Sequence, residues 1–369
     1  MIIIKKIIII SWKEVDYSVL RKNYVNSLRE QYKIFILDIS SILHFGTINT
    51  KKKIKSLKNL SIIKATSLKI LLQKIKKINP DMIIPYFIEN YSIETKKIFK
   101  RLIELNVPLM KIRDTKHINK FAYYKSKFIQ KFFHKKMNYQ YIIEVASRNF
   151  QHLYKSENKI YIHHYDYEKY LTIKSKLKRN TIKRNTIKKN AVFIDENLIY
   201  HPDITRNKKI NWDNPDNYFI QMNKFFGFIE KNFNMDIKIA AHPSTYQKHF
   251  GKYKNYINKT AELVSKADLV LIHQSTALSF AVLFKKKILF LTSKEIEKKI
   301  VLNKSIVNTA NFFKSKPIYI DNKLVKSNLE NNMVTNSIRY KLFKDYFLKH
   351  PKGHNKKFIQ NFKKYFANK

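Results

Sequence analysis

An α/β fold of two doubly wound domains is predicted by two observations. In both halves of the chain, apolar runs of strand length alternate with stretches of helical period, the pattern of parallel strands joined by helices that cover both faces of a sheet. Between the halves, residues 170–190 read YLTIKSKLKRNTIKRNTIKKN, basic and acid-free with no apolar period. That stretch is expected to be a linker between domains 1–169 and 191–335, with the last residues, 336–369, forming helices that pack back on the first domain. A chain of 369 residues is long enough for two such cores. A ligand cleft is expected between the domains, at the carboxyl ends of the strands.

The elements follow in order. Ile7–Ile10 reads as a strand; Lys5 and Lys6 split the apolar run before it, and no small-residue cleavage site follows, so this is a buried strand rather than a secretion signal. Leu20, Tyr24 and Leu28 mark a helix face, and KIFILDI (33–39) is the next strand. A basic loop leads to a helix carrying Leu68, Leu71, Leu72, Ile75 and Ile78, stopped by Asn79-Pro80-Asp81 ahead of the strand MIIPYF. A helix over 93–105 and a short strand over 108–112 complete the first alternation. In the second half, AVFID (191–195), DIKIAA (236–241), DLVLI (268–272) and KILFL (287–291) are strands. Helices are expected over 216–232, 260–267, 277–284, 337–350 and 356–367, the first amphipathic through Phe219, Met222, Phe226 and Ile229.

Composition narrows the function. Lys and Arg number 74 against 27 Asp and Glu, a net charge of +47, yet 44% hydrophobic residues place that charge on a folded protein rather than a basic tail. Only nine of the 74 are arginine. Readers of bases and phosphates favour the bidentate guanidinium, so a lysine excess alongside abundant Ile and Asn reflects biased composition on solvated faces, with attraction to an anionic membrane surface as a secondary consequence. With no cysteine there is no disulfide, thiolate metal site or cysteine nucleophile. Four glycines, 46, 227, 251 and 353, cannot build G-x-G-x-x-G or a Walker loop. No segment reaches the roughly 18 apolar residues of a membrane span. His163-His164 with Asp166 is the densest ligand cluster; adjacent strand residues point to opposite faces, so it reads as a surface pair, and no metal is expected.

The informative residues lie past strand ends. His242-Pro243-Ser244 follows one strand and His273-Gln274-Ser275-Thr276 another. Ser275 and Thr276 begin a helix, where hydroxyls and free backbone N–H groups suit an anion; an ordinary helix cap is the competing account. Thr260 is expected to cap the helix over 260–267. His273 is either a lining residue or a turn residue. Strand-end carboxylates are Asp38, Glu89, Asp195, Glu196 and Asp203, of which Asp195 and Asp38 are favoured; a polar strand terminus accounts equally for Asp195.

The segments IKIAAHPS and TAELVSKADLVLIHQSTALSFAVLFKKKILFL resemble the nucleotide-binding domain of bacterial GT-B glycosyltransferases of the sialyltransferase-like, capsule and lipopolysaccharide type. The resemblance covers about 191–291. It implies two Rossmann-like domains and a metal-independent sugar transfer from a nucleotide-activated donor to a glycan or glycolipid acceptor. His242, Pro243, Ser244, Thr260, His273, Gln274, Ser275 and Thr276 would form the donor site, His242 standing at the donor phosphate and Ser275 and Thr276 binding it. The resemblance favours a CMP-sugar donor, but the chain lacks the acidic pair followed by glycine that sialyltransferases of this type carry, which counts against CMP-sialic acid and leaves other CMP-sugars and UDP- and GDP-sugars open. The implied location is cytoplasmic, peripheral to the inner face of the plasma membrane. A nucleotide-sugar 2-epimerase and a basic nucleic-acid-binding protein are the alternatives.

Overall fold

The computed structural model describes residues 4–43, 56–86, 92–114, 139–146, 158–179, 188–200, 212–242, 250–353 and 357–367. The described residues divide into two compact units: those up to 168 together with those from 345 onward, and those of 169–344.

In the first unit, β1 (Lys6–Ser11), β2 (Lys33–Asp38), β3 (Leu60–Lys64) and β4 (Met82–Tyr86) form a parallel sheet in the order β3-β2-β1-β4. A parallel bridge from Ile83 to Leu109 leads on to β5 (Met110–Asp114), β6 (Tyr141–Val145) and β7 (Lys159–Ile162), again all parallel. The unbroken isoleucine run of β1 arises because both faces are covered. Ile7 and Ile9 share a core with Phe358, Phe362 and Phe366 of helix Phe358–Ala367. Ile8 and Ile10 face Leu71 and Ile75 of helix Leu68–Ile78 and Ile98 and Leu102 of helix Ile93–Ile103. Helix Leu68–Ile78 starts where the Ser67 side chain accepts the Ile70 N–H, and stops at Asn79, whose left-handed backbone turns the chain. The Asp81 carboxylate then accepts the N–H groups of Lys5 and Lys6, aligning β4 beside β1.

The second unit is a single six-stranded parallel sheet. Its strands are β8 (Lys189–Ile194), β9 (Met235–Ala241), β10 (Asn255–Ile257), β11 (Leu269–Ile272), β12 (Lys287–Thr292) and β13 (Ile318–Tyr319), in the order β10-β9-β8-β11-β12-β13. Counted from the first strand of each unit, both sheets contain the order 3-2-1-4, continued to 5 and 6: two doubly wound Rossmann-like units. The β8 side chains Ala191 and Phe193 pack with Met222, Phe225, Phe226 and Ile229 of helix Pro215–Phe233. That helix starts at Asn214, whose side chain accepts the Asn217 N–H, with proline at its first position.

Several expectations are corrected. Residues 170–179, read as linker, continue helix Tyr165–Arg179, with Tyr170 packed edge-on against Phe284 and Ile173 buried; these two tertiary contacts replace a long apolar period. Residues 180–187 of that stretch lie outside the described ones. The final helices do not act together. Helix Ser337–Phe347 sets Phe343 against Phe312 and Phe313 and brings the Tyr340 hydroxyl to the Lys286 and Val334 carbonyls, all in the second unit; only the residues from 345 onward belong to the first. Strands β3, β6, β7, β10 and β13 and the helices Lys294–Lys298, Ile300–Phe312 and Lys326–Asn332 add to the expected elements.

Candidate functional site

In the second unit the strand order reverses between β8 and β11, the point where open α/β sheets hold ligands at the carboxyl edge. Ala240, Ile194, Ile272 and Phe290 form one row across β9, β8, β11 and β12. Asp195, His242, His273, Gln274, Ser275 and Thr276 all follow directly beyond that row. With strands spaced about 4.8 Å apart, β9 and β11 are about 10 Å apart, so His242 and Ser275 leave the sheet from opposite sides of the β8 end.

Asp195 is buried, its backbone N–H bound to the Ala240 carbonyl and its Oδ1 accepting the Asn197 N–H at 2.7 Å. Asn197 adopts a left-handed backbone and turns the chain away. One carboxylate oxygen of Asp195 thus serves the strand terminus. Neither Glu196 oxygen completes a hydrogen bond, and both are buried. Burial and the neighbouring Asp195 charge push the Glu196 carboxyl well above the ordinary carboxylate range, with the Glu196 and Gln274 backbone amides pulling the other way.

His273 is fully buried, and both ring nitrogens are engaged. Nδ1 lies 2.8 Å from the Leu291 carbonyl, which only accepts, so Nδ1 carries the proton; Nε2 then accepts from the Tyr218 hydroxyl at 3.0 Å. Burial lowers the His273 pKa to about 4, so the ring is neutral at physiological pH. His273 is therefore a structural pin under the loop rather than a lining residue. Tyr218, whose ionisation is pushed well up by burial and by the Asp195 and Glu196 charges, was not singled out in the sequence. Its signal was available: 218 is in helical register with Met222, Phe225 and Ile229.

Ser275 is half-buried, and its hydroxyl accepts the Ala277 N–H at 3.2 Å, so the cap reading holds for that oxygen while its own hydrogen stays available to a ligand. Thr276 is exposed, and its carbonyl receives the Ser279 hydroxyl at 2.9 Å. The following helix is short, Leu278–Leu283, beginning one residue later than expected. Gln274 is half-buried, as is His242 at the end of β9. Pro243 and Ser244 lie outside the described residues, as do Glu89 and Asp203.

Thr260 is corrected. It is the first helical residue of Thr260–Lys266, whose cap position is Lys259 with no side-chain cap bond. It follows β10, the edge strand, three places from β11. Asp38 belongs to the first unit, where it ends β2, is buried, and accepts the Ser40 N–H at 2.9 Å through Oδ1. The two favoured aspartates thus end strands of different units, each with one oxygen used in a local turn.

The His163-His164 pair is also corrected, since both rings are buried in the first unit. His163 Nδ1 accepts the His350 N–H at 3.2 Å, and His164 Nδ1 accepts the Asp166 N–H at 3.1 Å. The pair anchors the returning C-terminal segment. Among the described residues, no group of three or more His, Asp or Glu is arranged to hold a metal ion, and no helix is long and apolar enough to cross a membrane.

No family model matches the chain, and no curated protein matches it. Among solved structures, it is similar to the wall teichoic acid polymerase TagF (H444N variant), with a TM-score of 0.51 at 13% identity, covering 99% of this chain and 90% of that one. It also aligns with Acinetobacter baumannii MurG (TM-score 0.47, 10% identity, 99% and 100% covered). A third alignment is with the Neisseria meningitidis UDP-GlcNAc 2-epimerase bound to UDP-GlcNAc (TM-score 0.46, 11% identity, 98% of each chain). The likeness to TagF is one of fold: the protein has the two-domain Rossmann-like architecture of GT-B glycosyltransferases.

Proposed function

We propose that the protein is a glycosyltransferase that moves a sugar from a nucleotide-activated donor to a lipopolysaccharide or capsule glycan. A CMP-sugar is the favoured donor, and the site lies at the carboxyl edge of the second unit. The observation that carries this reading is the grouping of Asp195, His242, Ser275 and Thr276 past the ends of β8, β9 and β11, beside the reversal of strand order. Sugar transfer breaks a glycosyl–phosphate bond through an oxocarbenium-like transition state, and negative charge builds on the departing phosphate. The hydroxyl hydrogens of Ser275 and Thr276 and the His242 imidazole suit that charge, being neutral or weakly basic donors that need no metal. A carboxylate must accept the proton of the acceptor hydroxyl. We assign this to Asp195 or Asp38, the two buried strand-end aspartates. The acceptor is assigned to the first unit, and work at the inner face of the plasma membrane fits the lysine-rich surface.

Thermal-shift and ligand-detected NMR measurements against CMP, UDP, GDP and a single-stranded oligonucleotide test the reading. One nucleotide is expected to stabilise the protein, by about 2.7 kcal/mol at a hundredfold excess over its Kd, and His242→Ala and Ser275→Ala are expected to abolish the effect. Binding of the oligonucleotide with a steep salt slope, and of no nucleotide, would overturn it.

A further inference from the structure

In the first unit, successive connections put two helices on one side of the sheet. Helix Leu68–Ile78 joins β3 to β4 and helix Ile93–Ile103 leads from β4 toward β5, both moving the same way across the strand order. Right-handed crossovers in one direction land on the same face, and both helices pack on Ile8 and Ile10. Their outward residues are mostly cationic. Lys69, Lys74, Lys76 and Lys77 are exposed on the first helix, which contains no acid. Lys96, Lys97, Lys100 and Arg101 are exposed on the second, where Glu94 is the single acid. Among the described residues, Arg101 is the one cation of these eight in an ion pair, with Glu104 at 2.7 Å. The second unit differs, since its Lys169, Lys188, Lys252 and Lys298 each hold a carboxylate. Two large apolar side chains stand among the cations, Ile93 at 66% exposure and Ile103 at 52%.

We infer that this two-helix face docks on an anionic lipid surface, the lysines against the headgroups and Ile93 and Ile103 in the apolar boundary beneath them. This assigns a surface to the membrane work proposed above, on which it rests. Charge complementarity identifies the occupant. Like charges side by side without counter-ions repel in water, and an anionic bilayer relieves that repulsion. Lysine suffices for this purpose, because a headgroup layer attracts charge without demanding a fork of donors. Nucleic acid also presents phosphates, but duplex readers favour arginine, and this face has one. Single strands are held by stacking on exposed aromatic rings, and the one aromatic residue of either helix, Phe99, is buried. Exposed isoleucine gains nothing from a phosphate, whereas it gains by leaving water at the headgroup boundary.

Vesicle co-sedimentation of the full chain tests the assignment. Vesicles of phosphatidylglycerol with phosphatidylcholine are compared with pure phosphatidylcholine in about 0.1 M salt, where the Debye length is about 10 Å. The wild type is expected to bind the anionic vesicles and to ignore the neutral ones. A face variant carries Lys69→Gln, Lys77→Gln, Lys97→Gln and Lys100→Gln, and glutamine preserves the helices. A matched variant removes the same charge from exposed lysines of the second unit, through Lys224→Gln, Lys231→Gln, Lys266→Gln and Lys323→Gln. At about fivefold per lysine at the surface, the face variant should bind at least about a hundredfold more weakly, and the matched variant within about threefold of the wild type. Ile93→Ser with Ile103→Ser should weaken vesicle binding about tenfold and leave binding to a single-stranded oligonucleotide unchanged. Equal losses in the two lysine variants would reduce the attraction to net charge and overturn the inference. Wild-type vesicle binding by the isoleucine variant, or no vesicle binding by the wild type, overturns it too. Thermal shifts with CMP, UDP and GDP keep the two readings apart, since the face variant should respond to nucleotide as the wild type does. If no nucleotide binds while the vesicle results hold, the transferase reading fails and the docking face stands.

Discussion

The Tyr218 hydroxyl donates to Nε2 of His273 across 3.0 Å, and the opposite nitrogen of the same ring donates to the Leu291 carbonyl across 2.8 Å. One buried imidazole thus joins helix Pro215–Phe233, the end of β11 and the end of β12, immediately ahead of the loop that carries Ser275. Replacing Tyr218 by Phe removes the donor and leaves Nε2 buried and unsatisfied. The expected loss is about 1–3 kcal/mol of unfolding free energy by chemical denaturation, the cost of stranding one buried polar atom. His273→Ala additionally leaves a cavity and is expected to be the worse of the two.

Acid should destabilise the protein earlier than its carboxylates alone predict. His273 and His350 both titrate near 4 in the folded protein because burial disfavours the cation. In the unfolded chain a histidine titrates near 6.5. The unfolded state therefore binds more protons between about pH 6.5 and 4, and stability present above that window is lost as pH falls through it. For the fully buried His273, the shift corresponds to about 3 kcal/mol by pH 4. Urea denaturation from pH 8 to 4.5 should show this slope, and His350→Gln should flatten it without changing stability at pH 8 to the same degree.

Much of the scaffold was legible because its signals are local. The continuous apolar strands β1, β2, β8, β11 and β12 announce sheets covered on both faces, and the placement of His242 and Ser275 past strand ends follows from the local patterns of β9 and β11. What sequence reasoning missed depends on tertiary context. Edge strands such as β10 and β13 are only three and two residues long and carry no period. The helix over 170–179 gains its stability from Tyr170 against Phe284, more than a hundred residues away. Burial of His163 and His164 required the C-terminal segment to return, bringing the His350 N–H to the His163 ring. The helix over 358–367 shows the converse: its Phe358, Ile359, Phe362 and Phe366 stripe has a helical period in the sequence, and the structure buries all four in the first unit.

That return has little space. A Cβ added at Gly353 would lie 2.8 Å from Cε1 and 3.1 Å from Nδ1 of the buried His163, and 3.3 Å from the His350 carbonyl oxygen. Gly353→Ala is expected to destabilise the protein by about 1–3 kcal/mol, the usual penalty of overpacking a rigid site. Limited proteolysis should then cut first near 353. Phe362→Ala, which empties a fully buried site in the helix that follows, is expected to cost about 3–5 kcal/mol.

Glu168 ties that last helix to the first unit by accepting the Phe358 N–H, and it does so at a charge cost. Burial raises its pKa to about 7, against the opposing effects of the Phe358 N–H and the Lys357 charge. A carboxyl whose folded pKa exceeds its unfolded value contributes stability that is complete below about pH 4.5 and lost as pH rises through 7. Glu168→Gln keeps an acceptor oxygen for Phe358 and removes the ionisation. The variant should therefore match the wild type near pH 5 and exceed it by up to about 3 kcal/mol at pH 8.5, the free energy of the same pKa difference. Denaturation curves at the two pH values decide the matter. If Glu168→Gln is weaker than the wild type at pH 8.5, the ionised carboxylate is the better partner for Phe358 and Lys357, and burial does not outweigh those two contacts.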